Sequence, residues 1–119
     1  MILALDSAKI LYIFSSEKDV YKELEAIDIA NGEYQFCDEK GRRYSAHITR
    51  PVTFFRQGTF AITVQDHDPA LPLAFLDQAR ELGRGILGIS TMSELRQYIV
   101  GNKDWAKAEH SNLNHDSGD

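Results

Sequence analysis

The N-terminal part of the chain changes from strand-like to helix-like hydrophobic spacing. Residues 9–14 are apolar on both faces, which predicts a strand in the interior of a sheet. Ser15 and Ser16 can then cap a helix, because acidic residues follow in its first turn. Helical spacing of apolar residues predicts that this helix runs from about residue 17 to about residue 27. Its predicted buried stripe consists of Val20, Tyr21, Leu24 and Ile27.

A β-hairpin is predicted next, after a turn at Asn31-Gly32. Its strands span residues 34–37 and 43–50, and residues 38–42 connect them. Pro51 cannot donate to a strand ladder, so the second strand ends there or reaches a sheet edge.

The hydrophobic pattern also selects the register of this hairpin. The selected register pairs Cys37 with Arg43, Phe36 with Tyr44 and Tyr34 with Ala46. This pairing gathers the apolar side chains on one face of the sheet. A slip of one residue would mix the two faces, so the alternative registers are disfavoured.

A second hairpin is predicted from residues 52–56 and 59–65, with its turn at Gln57-Gly58. Apolar and small or polar residues alternate cleanly along its second strand. Phe54 and Phe55 are adjacent in its first strand, so one of them should face outward. The outward Phe could be a binding anchor, or it could be covered by another part of the chain, for instance by Trp105.

The C-terminal part predicts two helices and a polar tail. Asp66-His67-Asp68-Pro69 should leave the sheet, and a helix should run from about residue 70 to about residue 82 with its stop at Gly83. Residues 86–89 form a possible short strand. The residues Thr91 to Glu94 make a capping box that opens a third helix ending at Gly101. Its predicted buried residues are Leu95, Tyr98 and Ile99.

Together these elements predict the order β-α-β-β-β-β-α-(β)-α. This order indicates an α+β fold, with an antiparallel sheet of four to five strands and about three helices packed on it. Residues 1–101 should form a single domain, and the polar residues 102–119 should be a disordered tail.

Composition narrows the functional classes. The net charge of −5 disfavours nucleic acid as a direct ligand, because phosphate binding depends on clustered Lys and Arg. It suits a basic protein partner, although a modest negative charge also serves solubility alone. The single cysteine, Cys37, fits a reducing compartment and excludes an internal disulfide. Residues 1–6 lack the order of regions of a signal peptide, so we expect a cytoplasmic protein without a membrane span.

Three local motifs could carry chemistry, and each has a plainer interpretation. The glycines of residues 83–88 match a dinucleotide-binding pattern, but they follow a helix instead of joining a strand to a helix. The predicted register places Cys37 and His47 on one face but about 13 Å apart, too far for proton transfer. The sequence Asp66-His67-Asp68 holds metal-binding atoms, yet neighbouring extended residues point to opposite sides and Asp68 can cap the next helix.

We therefore predict no catalytic, cofactor-binding or metal-binding residues. His110 and His115 in the tail are weaker candidates for metal ligands than Asp66-His67-Asp68. What remains is an acidic surface with a possible exposed aromatic anchor. Its candidate partner-binding residues are Glu17, Asp19, Glu23, Glu25, Asp38, Glu39, Phe55, Asp66 and Asp68.

The segments 26–29, 31–34, 36–38 and 41–44 resemble small bacterial immunity proteins of toxin–immunity systems, such as contact-dependent inhibition. The likeness covers about residues 9–65 and names no binding residues. It implies a cytoplasmic inhibitor that binds and blocks a toxin domain, often a basic nuclease, and this is our leading hypothesis.

Two alternatives come from other functional classes. One is a small enzyme or ligand-binding domain with a polar pocket that contains His47, Cys37 or Asp66. The other is a structural or regulatory subunit that self-associates, at most as a weak dimer, through Phe54 and Phe55.

Overall fold

The computed structural model describes residues 1–83 and 89–101, and its strands form one mixed, mostly antiparallel sheet. The strands are β1 (Ile2–Asp6), β2 (Ile10–Phe14), β3 (Tyr34–Asp38), β4 (Arg42–Arg50), β5 (Thr59–His67) and β6 (Glu81–Leu82). Their order across the sheet is β5-β4-β3-β1-β2-β6, and among the described strands only β2 and β6 pair in parallel. The long strands β4 and β5 therefore occupy one side of the sheet.

Helices cover both faces of the sheet. They are α1 (Glu17–Glu23), α2 (Ala26–Ala30), α3 (Leu71–Gln78) and α4 (residues 92–101). One apolar cluster joins α1 and α2 to the sheet, through Ile2, Ala4, Phe14, Val20, Ile29, Phe36, Tyr44 and Ile62. The other cluster joins α3 and α4 to the opposite face, through Leu3, Leu5, Leu11, Ile13, Cys37, Leu71, Phe75, Leu76, Ile89, Leu95 and Ile99. Successive residues of β1 thus enter different cores, as the period of a strand requires.

The predicted α+β class is confirmed, with one strand more than expected. Strands β1 and β6 were not predicted, and the predicted strand over residues 52–56 is absent. Strand β1 sits between β2 and β3 and is buried along Ile2 to Leu5. Asp6 shapes the turn that follows, because its Oδ1 accepts hydrogen bonds of 2.9 Å from the N–H groups of Ala8 and Ile10. Lys9 adopts a φ of 67°, which completes this turn.

The predicted register between β3 and β4 is confirmed where the two strands pair. Phe36 lies opposite Tyr44, and Cys37 lies opposite Arg43. The capping box of α4 is also present. Glu94 Oε1 accepts from the N–H groups of Ser90 and Thr91, and the Glu94 N–H donates to Thr91 Oγ1 at 3.1 Å.

The predicted helix over residues 17–27 is wrong in its length. The chain becomes extended at Leu24 and Glu25, and the helix restarts as α2. This break rotates the following residues, so Ala26 and Ile29 are buried while Ile27 is 48% exposed. One continuous helix with the predicted stripe would have buried Ile27, whereas the break lets Val20 and Ile29 pack in the same core.

The predicted second hairpin is also wrong. Strand β5 pairs with β4 from Thr59 to His67, and residues 51–58 form the loop that connects them. Asp66 and His67 therefore belong to the sheet, opposite Arg43 and Arg42, instead of leaving it.

Two helix predictions need smaller corrections. Helix α3 ends at Gln78, and residues 81–82 form β6 where the helix was expected to continue. In α4 the predicted burial of Leu95 and Ile99 is confirmed, but Tyr98 is 40% exposed. The predicted strand over residues 86–89, most of the glycine run, and the tail with His110 and His115 lie outside the described residues.

A buried carboxylate organises the turn between β3 and β4. Asp38 is 2% exposed, and its Oδ1 accepts from the N–H groups of Lys40 and Arg42. Its Oδ2 accepts from Arg42 Nε at 2.5 Å and from the Tyr44 hydroxyl at 3.4 Å. These bonds compensate for the loss of hydration, so Asp38 supports the fold and is not the surface partner-binding residue that the sequence predicted.

We expect the substitution Asp38→Ala to destabilise the protein by about 3 kcal/mol, because it leaves buried donors without an acceptor. Asp66→Ala is the matched control, since it removes a solvent-exposed ion pair with Arg43 and should cost less than about 1 kcal/mol. Urea unfolding of both variants measures the difference. Equal stabilities for the two variants would contradict the structural role of Asp38.

Candidate functional site

The loop between β4 and β5 presents two phenylalanines at a tight turn. Thr53 and Arg56 exchange backbone hydrogen bonds of 2.9 and 3.3 Å, which leaves Phe54 and Phe55 at the two corner positions. Their side chains are 93% and 90% exposed. The two rings pack edge to face, with 5.1 Å between the ring centroids. Turn corners normally carry Gly, Pro, Asn, Asp or Ser, so the fold alone gives no reason for phenylalanine here. We call Phe54 and Phe55 the aromatic tip.

The base of this loop is tightly constructed. Gly58 has a φ of 80°, and a Cβ at this position would lie 2.7 Å from the carbonyl oxygen of Arg50. A glycine is therefore required where the two strands of the loop approach each other. The hydroxyl groups of Thr49 and Thr59 also share a hydrogen bond of 2.7 Å across the hairpin. The aromatic tip is thus held in place before any partner arrives, which lowers the entropic cost of binding.

An open groove of about 290 Å³ runs from the aromatic tip to the start of α2. It is lined by Glu25, Ile27, Val52, Thr53, Phe54, Phe55, Arg56 and Gln57. Ile27 and Val52 are 48% and 36% exposed, so the apolar surface extends beyond the two rings. A contiguous apolar patch with a charged rim is typical of protein-binding surfaces. We call this surface the tip groove.

A second open cleft adjoins the tip groove at Glu25 and Gln57. It has a volume of about 370 Å³ and follows the end of α1 toward β5. Its lining residues are Tyr21, Lys22, Glu23, Leu24, Glu25, Ala26, Gln57, Gly58, Thr59 and Phe60. The sequence pointed to Phe55, Glu23 and Glu25 here, but it did not single out Ile27 or Val52, which were assigned to a helix stripe and a strand.

The predicted acidic surface is divided between the two ends of β4. Glu25 lines the tip groove and Glu23 lines the adjoining cleft, whereas Glu17 begins α1 near Tyr44, toward the other end of β4. Half-buried Asp19 lies between them on α1. Glu39, Asp66 and Asp68 surround the opposite end of the hairpin, near the Asp38 turn. Eight residue steps along β4 separate these ends, a distance of about 26 Å. The nine predicted residues therefore do not form one continuous patch.

The motif Asp66-His67-Asp68 is engaged in separate local contacts. Asp66 Oδ1 accepts from Arg43 Nε at 3.0 Å, and His67 Nε2 lies 2.9 Å from the carbonyl oxygen of Lys40. Asp68 Oδ1 accepts from the N–H of Ala70 at the start of α3. Across residues 1–83 and 89–101, no three His, Cys, Asp or Glu side chains are grouped closely enough to hold a metal ion.

Cys37 and His47 lie in different environments. Cys37 is completely buried in the core beneath α3, and desolvation raises the pKa of its thiol. His47 is exposed on β4 opposite Ala61, and the confirmed pairing of Cys37 with Arg43 places it four residues further along the strand. A thiol that is protonated and shielded from solvent is a poor nucleophile.

A third open cleft of about 490 Å³ lies between the sheet and α1. It is lined by Tyr12, Ile13, Phe14, Ser15, Asp19, Lys22, Glu23, Leu24 and Tyr34. Burial raises the pKa of Tyr34 to about 12, and burial with the adjacent Asp6 carboxylate raises that of Tyr12. Both phenols are therefore protonated at neutral pH and cannot serve there as general bases.

Comparison of the chain with protein-family models, curated proteins and solved structures gave no match. In the described ranges, no helix combines the length and the apolar character needed to cross a membrane.

Removing the aromatic tip should leave stability almost unchanged. We expect Phe54→Ala and Phe55→Ala each to alter the free energy of unfolding by less than about 0.5 kcal/mol, since exposed positions contribute little. Phe36→Ala, which truncates a ring that is 1% exposed, should cost about 3 to 5 kcal/mol. Chemical denaturation of the three variants gives the comparison. A large loss at Phe54 or Phe55 would assign the tip to folding instead of binding.

Burial should also make Cys37 unreactive in the native protein. We expect a thiol reagent to modify it only through opening of the core, so the labelling rate should rise as denaturant is added. If Cys37 were labelled in buffer without denaturant as fast as a thiol in an unfolded chain, it would be accessible to solvent. It would then have to be considered again as a nucleophile.

Proposed function

We propose that this chain is a cytoplasmic immunity protein that binds a bacterial toxin domain through the aromatic tip and the adjacent end of α1. The observation that carries the binding role is the exposure of Phe54 and Phe55 at a turn whose geometry does not require them. Phenylalanine is enriched in protein interfaces relative to the rest of the surface, and aromatic anchors in such interfaces often carry much of the binding energy. The choice of a toxin as partner rests on the sequence resemblance.

Charge supports a basic partner at this end of the molecule. Glu23 and Glu25 line the cleft beside the tip groove, and they add to a net charge of −5. Opposite fields accelerate encounter, while the apolar contact of Phe54 and Phe55 slows dissociation. The interspersed Lys22 and Arg56 would restrict which basic surfaces fit. The inhibitor would then occlude the active site or the nucleic-acid groove of a nuclease toxin.

The direct test is binding to the toxin domain encoded immediately upstream of the gene for this chain. Co-expression should protect cells, and the two proteins should co-purify. We expect the double variant Phe54→Ala/Phe55→Ala to weaken binding about 100-fold, as the loss of a hot spot does. Val100→Ala on α4, at an exposed position on the other side of the sheet, is the matched control and should bind normally.

The possible results separate the two parts of the proposal. If no toxin gene is adjacent and expression protects against no toxin, the immunity role is lost. If the toxin binds wild type and the double variant equally well, immunity stands but the aromatic tip is not the interface.

Charge reversal by Glu25→Lys should lower the rate of association with the toxin, and added salt should reduce the difference from wild type.

The same exposed rings also favour a second candidate function, in which the chain is a subunit that self-associates through Phe54 and Phe55. Sedimentation in the micromolar range separates the two cases. A strict monomer removes self-association, whereas a dimer that the double variant abolishes would support it.

A further inference from the structure

Strand β5 lies at the end of the sheet, and its outer side carries main-chain groups that β4 does not use. The N–H of Ile62 donates a hydrogen bond of 3.0 Å to the hydroxyl of Tyr21 on α1. This bond shows that the main-chain groups of Ile62 point away from β4. Because alternate residues of an antiparallel strand point to the same side, those of Phe60 and Val64 face outward as well.

Along residues 59–64, this edge carries none of the side chains that usually prevent two sheets from joining, and the β-bulge at Gln65 lies beyond that stretch. Residues 59–65 contain no Lys, Pro, Asp or Glu, although the chain as a whole is acidic. Edge strands are normally protected by such residues. Val64 is also 54% exposed, so an apolar side chain is available beside the free main-chain groups. Two copies of the chain would meet here without charge repulsion along the strands.

The strand is also complementary to itself. An antiparallel pair of β5 strands centred on Ile62 would place each Ile62 opposite its counterpart and each Phe60 opposite Val64. Pairs of aromatic and β-branched side chains stabilise antiparallel strands, and the contact would be isologous. This register uses the N–H of Ile62, which is the group that Tyr21 already occupies.

The position of Tyr21 is itself fixed by packing. Its ring lies 5.3 Å from the ring of Phe60 at an interplanar angle of 58°, and its side chain is 40% exposed. We propose that the hydroxyl of Tyr21 closes the free edge of β5 against strand pairing with a second copy of this chain. The inference does not depend on the identity of the binding partner or on the aromatic tip.

The test compares Tyr21→Phe with Tyr98→Phe, a control on α4 with the same exposed fraction of 40%. We expect Tyr21→Phe to self-associate about five- to tenfold more tightly than wild type, because the competing hydrogen bond is gone. Tyr98→Phe should behave as wild type. Sedimentation velocity over a micromolar concentration series measures this, in the Phe54→Ala/Phe55→Ala background so that the aromatic tip does not contribute.

Two further measurements decide the mechanism. Adding Val64→Lys to Tyr21→Phe should restore the monomer, because a lysine on the edge opposes strand pairing. In unmodified protein, the amide of Ile62 should exchange with solvent more slowly than those of Phe60 and Val64. The proposal is overturned if Tyr21→Phe associates no more than Tyr98→Phe, if Val64→Lys does not reverse association, or if the three amides exchange equally fast.

Discussion

The pairing of β1 with both β2 and β3 is the constraint on which the other contacts depend. Leu3 and Leu5 enter the core beneath α3 and α4, while Ile2 and Ala4 enter the core beneath α1 and α2. A strand buried on both faces tolerates no slip, because a shift of one residue would exchange the two cores. Its register with β3 places Cys37 and Phe36 in opposite cores, and β3 in turn aligns β4. The long hairpin that carries the aromatic tip is therefore positioned from the centre of the sheet.

Local patterns were sufficient wherever neighbouring residues determined the structure. The alternation of residues 34–50 predicted the pairing of Phe36 with Tyr44, and the capping residues Thr91 and Glu94 predicted the start of α4. Strand β1 was missed because its apolar residues were compared only with a signal peptide. Asp6, whose carboxylate forms the turn after β1, was the residue that could have indicated the end of a strand. The β1–β2 hairpin is itself local, so this miss came from the interpretation of the segment and not from a lack of local information.

Tertiary contacts explain the remaining errors, including those at the candidate site. The burial of Asp38 could not be read from a polar turn, since it depends on donors that converge only when the turn forms. Phe54 and Phe55 have high strand propensity, yet the approach of Gly58 to Arg50 closes a loop there instead. Only the exposure of one phenylalanine was foreseen, whereas a tight turn exposes both. The acidic residues were visible in the sequence, but their division between the two ends of β4 was not.

The hairpin β4–β5 has exposed aromatic side chains at its turn and a hydrogen bond to α1 along the outer edge of β5. At its end, the tight turn at residues 53–56 holds two apolar rings in solvent, and a binding partner would remove that surface from water. Along its side, Tyr21 uses one hydroxyl to satisfy the central N–H of a strand whose residues 59–65 contain no Lys, Pro, Asp or Glu. Helix α1 and the start of α2 connect the two features, since Tyr21 reaches the central N–H of β5 and Glu25 lines the tip groove.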